Sequence, residues 1–236
     1  ACRKCHEEIM SATRKVKNPH KAVHQDGQCL NCHDIHFSAQ KHLLKGNSKS
    51  LCLKCHNRQI KVEEKGAGKG SRGKEVLADI ARQLEKMDFL HGPIAEENCI
   101  DCHKAHGSDH NMILRDTFPD RFYARGRRDA YMACFKCHDP RLLEEERTTT
   151  ATNFRNGDRN LHYLHTFREK GRTCRACHHE HAASQPHLIR ASTPFGSWQL
   201  KNEFTKTRTG GGCLSGCHKL LKYDRVNPVP VEGGED

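Results

Sequence analysis

The 236-residue chain has no run of 18 or more apolar residues, which leaves it without a membrane-spanning helix. It is poor in material for an ordinary core: 35% of residues are hydrophobic, 6% are aromatic and one is tryptophan. A chain of this length could bury a respectable interior, so something other than side chains is expected to supply the apolar mass. Cysteine is abundant, yet no pair is left over for disulfides, because all 14 cysteines fall in one recurring pattern.

That pattern is C-x-x-C-H, with strict spacing at Cys2/Cys5/His6, Cys29/Cys32/His33, Cys52/Cys55/His56, Cys99/Cys102/His103, Cys134/Cys137/His138 and Cys174/Cys177/His178. A seventh copy, Cys213/Cys217/His218, carries one extra residue, and Gly216 in its insert could absorb it as a bulge. Structural zinc and redox C-x-x-C pairs share the cysteine spacing, but neither explains a histidine after every second cysteine. Covalent haem c does: two cysteines bond the porphyrin vinyls and the histidine lies under the iron. Seven haems are therefore expected, at about 34 residues each, too few for separate domains, so the porphyrins should pack on one another.

The formal charge of +11 suggests nucleic acid or an acidic membrane as partner. Seven haems with two propionates each would bring it to about +4 oxidised and about −3 reduced, so nucleic-acid binding is not expected. Haem c is attached outside the cytoplasm, and a motif beginning at Cys2 reads as a processed form, which points to periplasm, cell surface or exterior.

Three repeats follow a lead-in: His20 to His56, His91 to His138 and His165 to His218. Each opens on a histidine, continues as C-x-x-C-H-x-x-H, exits through His42-Leu43-Leu44-Lys45, Met112-Ile113-Leu114-Arg115 or His187-Leu188-Ile189-Arg190, and ends on a second C-x-x-C-H. The expected organisation is a first-haem segment (1–19), haem pairs at 20–64, 91–140 and 162–223, a linker and helix at 65–90, a linker at 141–161 and a tail at 224–236. Helices are expected at Glu7 to Val16, Glu75 to Phe89 and Leu142 to Arg147, with a Gly/Lys linker from Lys65 to Lys74. Trp198 is expected to pack in a turn. The fold class that follows is mostly α and irregular, with little or no sheet, around a chain of haems.

Seven of the 19 histidines belong to motifs, leaving twelve for seven sixth positions. Methionines recur in no comparable place, so bis-histidine ligation and low potentials are expected. A histidine three residues after a proximal one lies on its side of the ring, so His36, His106 and His181 should serve other haems, His106 most readily the one at Cys134/Cys137. His20, His91 and His165 precede their motifs by loops long enough to fold over the same haem. His24 is left for the first haem. His42, His110, His162, His179 and His187 are read as surface or propionate partners, with His162 able to exchange with His165.

Over residues 20 to 218 the chain resembles the multihaem c-type cytochromes with doubled C-x-x-C-H motifs of anaerobic and metal-reducing bacteria and archaea. His20 and His24 ahead of Cys29 also look like the spacing in small tetrahaem cytochromes of sulfate reducers, where one histidine serves its own haem and the next another. The resemblance implies electron transfer with redox protein partners. It leaves open a multihaem reductase of nitrite, hydroxylamine or sulfur oxyanions with one open iron. Polymerisation is also expected, by a head-to-tail contact of haem 7 with haem 1 of the next copy.

Overall fold

The computed structural model describes residues 2–62 and 75–230. The Gly/Lys linker at 65–74 and the end of the tail lie outside them.

After the first motif, α1 (Glu7–Lys15) carries Glu7 and Glu8 in its first turn and Arg14 and Lys15 in its last, the charge order that the helix dipole favours. Polar caps start three other helices. Asn47 accepts from the Ser50 amide at α2 (Ser48–Leu53), Asp79 from Arg82 at α3 (Ile80–Lys86), and Asn160 from His162 and Tyr163 at α7 (Leu161–Thr166). Between them lie the short α4 (Gly92–Ala95), α5 (Met132–Phe135) and α6 (Arg141–Glu144). The helix expected from Glu75 to Phe89 is only α3, flanked by strand pieces. The helix expected at Leu142 to Arg147 is α6, displaced towards Pro140, a residue whose fixed φ suits a helix start.

The expectation of little or no sheet is overturned. Helix makes up 31% and strand 23%, including a four-stranded antiparallel sheet and several two-stranded ones. Two-residue strands β1 (Asn18–Pro19) and β5 (Gly107–Ser108) pair, as do β4 (Phe89–Leu90) and β8 (Ala182–Ala183). β2 (Ile60–Val62) pairs antiparallel with β3 (Glu75–Leu77), and a local hairpin joins β6 (Arg155–Asn156) to β7 (Arg159–Asn160).

The large sheet is C-terminal, in the order β12-β11-β10-β9, from β9 (Ser192–Phe195), β10 (Trp198–Lys206), β11 (Gly210–Ser215) and β12 (His218–Asp224). Gly210 and Gly211 permit close strand approach, since a Cβ there would lie 1.9 Å from the Tyr223 carbonyl and 2.5 Å from that of Thr205. Trp198, expected to pack, opens β10 and is 69% exposed.

Buried apolar residues are few: Met10, Tyr131, Leu143, Ala176, Ala182, Ala183 and Tyr223. The accessible surface is 16235 Å². A compact chain of 26.9 kDa would expose about 10,800 Å².

Candidate haem sites

Each repeat builds the same clamp. Two successive residues of the exit adopt left-handed backbone: His42 and Leu43 (φ 58° and 55°), Met112 and Ile113 (53° and 51°), His187 and Leu188 (56° and 57°). L-residues pay about 1–2 kcal/mol each for that conformation. The turn aims one carbonyl at the motif histidine. Nδ1–H of His33 donates to His42 O at 2.8 Å, that of His103 to Met112 O at 2.9 Å and that of His178 to His187 O at 2.9 Å. Backbone bonds close the loop, Lys45, Arg115 and Arg190 donating from N–H to the carbonyls of Cys32, Cys102 and Cys177. With Nδ1 protonated and held, Nε2 presents its lone pair, the state a metal-binding imidazole needs.

Six of the seven motif histidines face a second imidazole. The ring centroids are separated by 6.3 Å for His20 and His56, 6.2 Å for His33 and His106, 6.0 Å for His91 and His138, 6.2 Å for His103 and His181, 6.3 Å for His162 and His178, and 6.5 Å for His165 and His218. An atom bound to two opposed imidazoles through bonds of about 2 Å, with each ring centre about 1.1 Å beyond, puts the centroids about 6.2 Å apart. The observed separations fit one iron per pair. Burial lowers the pKa of His56, His103, His106, His138, His165 and His178, and takes His162 down to about 3 and His181 to about 4. Neutral imidazoles are the ligating form.

The pairings depart from the expected assignment. His20, His91 and His165 stand opposite the second motif of their own repeat, not the first. The strands explain two of these cases: β1 ties His20 to the tail of the next repeat, Nδ1–H donating to Ala105 O at 2.7 Å, and β4 ties His91 to Glu180 O at 3.0 Å. His106 and His181 stand opposite the first motif of the preceding repeat, His33 and His103. His162 faces His178 from α7. It lies three residues before His165, one turn away on the same helix face, and that spacing was the available signal. The buried Asn160 fixes this helix, donating to Leu142 and Glu145 carbonyls.

Three candidates stand apart. Among the described residues His6 and His36, both exposed, face no second imidazole, and His24 places Nε2 3.3 Å from Thr13 O. Glu180 is half-buried between Arg175 and Arg190, at 3.1 and 3.2 Å. Burial alone would raise its pKa, but the two guanidiniums and a backbone N–H hold it below the usual range.

Cysteines of neighbouring motifs act on one another electrostatically. Interaction with Cys99, with burial, drives the Cys52 thiol up, interaction with Cys52 takes Cys99 down to about 7, and Cys174 and Cys134 form the same kind of couple. Burial raises the thiols of Cys32, Cys102 and Cys177, with smaller contributions from Cys55, from Cys134 and Cys137, and from Cys213 and Cys217. The seventh motif sits on the β11–β12 hairpin, whose register shifts between Cys213 and Ser215. Gly216 serves there by close approach, a Cβ meeting Leu200 at 2.8 Å.

Cys2 and Cys5, expected to anchor haem 1, are half-buried and exposed, and the second cysteines of four other motifs, Cys55, Cys137, Cys177 and Cys217, are exposed as well. A single tight turn, in which the Cys5 and His6 amides donate to Cys2 O at 3.3 and 3.0 Å, leads from Cys2 directly into α1, without the left-handed exit that follows the first motif of each repeat.

Residues 20–61 and 91–142 match the doubled CXXCH motif family. The match supports a multihaem c-type cytochrome-like protein that binds haem c covalently and transfers electrons. Such cytochromes are typically extracytoplasmic, and no described helix is long and apolar enough to cross a membrane. No curated protein matches the chain.

Proposed function

We propose that the chain carries seven covalent haems, six held between the imidazole pairs described above, and passes electrons in series along them outside the cytoplasm. The observation that carries this reading is the recurrence of a gap of 6.0 to 6.5 Å between a motif histidine and a histidine from another segment. Cofactors held this way lock the repeats together, because each first-motif iron of the first two repeats takes its second ligand from the repeat that follows. Bis-histidine ligation favours low potentials and leaves those irons closed to substrate. Redox proteins are the partners such a series needs at its ends, and association of copies end to end would extend it.

A reductase would need one open iron. His6 favours that second reading, since no described imidazole opposes it. Intact mass and low-temperature EPR of the holoprotein decide between them. Seven haems with only low-spin ferric signals support the carrier; one high-spin haem that binds nitrite or hydroxylamine and turns it over supports the enzyme.

A further inference from the structure

The repeats differ at their two ends. In the second and third, the residues just after the tail histidine form β5 and β8, buried strands paired with the dipeptide before a leading histidine of the preceding repeat. The tail histidine then faces that repeat's first motif. The first repeat has the same local module, with His33 bridged to Leu44 as His103 is to Leu114 and His178 to Ile189. Its Phe37 and Ser38 occupy the place of β5 and β8. Yet among the described residues they pair with no strand, Ile35 and Phe37 are 58% and 78% exposed, and His36 faces no imidazole.

At the other end the series is closed from within. Nδ1–H of His165 donates to Leu161 O of its own helix at 2.6 Å, and His162 stands where a following repeat's tail histidine would stand. Repeat arrays need such caps, and among the described residues no segment covers the tail of the first repeat. Among the described residues one motif histidine, His6, faces no second imidazole. His24 places Nε2 3.3 Å from Thr13 O, whereas His36 holds the tail position from which His106 and His181 face a first-motif histidine in their repeats.

His6 and His36 both lie on the surface and do not face each other within one copy. Resting on the reading that the motifs hold haem c, we propose that His36 is the sixth ligand of the haem 1 iron, the one over His6, in a second copy of this chain. The exposed edge Ile35 to Phe37 forms part of the contact. A two-fold arrangement satisfies both copies at once, each giving its His36 to the other.

The test uses the full holoprotein. Wild type is expected to sediment as a dimer with every haem low-spin. His36→Ala is expected to give monomers in which one haem of seven is high-spin, and added imidazole should return that haem to low spin without restoring the dimer. His24→Ala should change neither property. Mixing His36→Ala with a Cys2→Ala/Cys5→Ala variant, which keeps His36 but has no haem 1, should restore the low-spin signal in trans. A monomeric wild type with haem 1 low-spin overturns the exchange between copies, as does His36→Ala with all haems low-spin or a high-spin haem produced by His24→Ala. Intact mass of each variant separates these results from a failure of haem attachment itself.

Discussion

Replacing His42 by glycine should stabilise the protein while leaving every haem untouched. His42 is left-handed at φ 58°, and it is the cleanest of the three equivalent positions. Met112 touches Arg175, and His187 packs on Phe204, whereas the His42 imidazole is exposed and makes no hydrogen bond among the described residues. What matters at this position is the backbone carbonyl that receives His33 Nδ1–H, and glycine keeps it. Removing the Cβ relieves about 1–2 kcal/mol of left-handed strain. The added freedom of glycine in the unfolded chain takes back about 0.5–1 kcal/mol. The net gain lies between about 0 and 1.5 kcal/mol, and its midpoint of about 0.75 kcal/mol corresponds to about 1.5–3 °C in Tm for a chain of this size. Thermal melts followed in the Soret region, with EPR on the same samples, measure both parts. His42→Val, which cannot adopt the conformation easily, should move Tm the other way. A lower Tm for His42→Gly, or loss of a low-spin haem, would show that the side chain is used and would refute the clamp as described.

His106→Ala should convert the haem at Cys29/Cys32 to high spin and leave those at Cys99/Cys102 and Cys134/Cys137 low-spin; assignment by combination with motif deletions checks it, and a change at either of the latter two contradicts the pairing. Thr193→Val removes the hydroxyl that donates to Ala176 O and accepts from Asn202 at 2.8 Å, both at buried positions. The cost should be about 2–4 kcal/mol by denaturant titration, because both partners lose a bond. Asp224 is held down to about 2 by the Thr209 hydroxyl and the Asn227 and Val226 amides. Its contribution is present above the ordinary carboxylate pKa and lost as pH falls from about 4 towards 2, so Asp224→Asn should flatten the acid limb of the stability profile in that window.

The motifs, the repeats and the similar exits were legible in the sequence because each is a local pattern. The sheet was less so. Alternation along Trp198, Leu200 and Phe204 is a genuine two-residue period, but the glycine run before Cys213 obscured the next strand, and strands as short as Asn18–Pro19 leave no periodic trace at all. That His106 and His181 reach another repeat was legible in kind: a histidine one turn after the motif histidine cannot fold back over the same ring. Which motif histidine each one meets depends on β1·β5 and β4·β8, contacts between segments about 90 residues apart that no local spacing encodes. His162 was hidden differently, since its role depends on the series ending at that repeat.

The most direct test of the central claim is the iron–nitrogen connectivity in experimental density for the holoprotein. The account predicts Nε2 of His106 on the iron over His33, His20 on that over His56, His181 on that over His103, His91 on that over His138, His162 on that over His178 and His165 on that over His218. Density joining His20, His91 or His165 to the first motif of its own repeat, or His106 to the iron over His138, would contradict it.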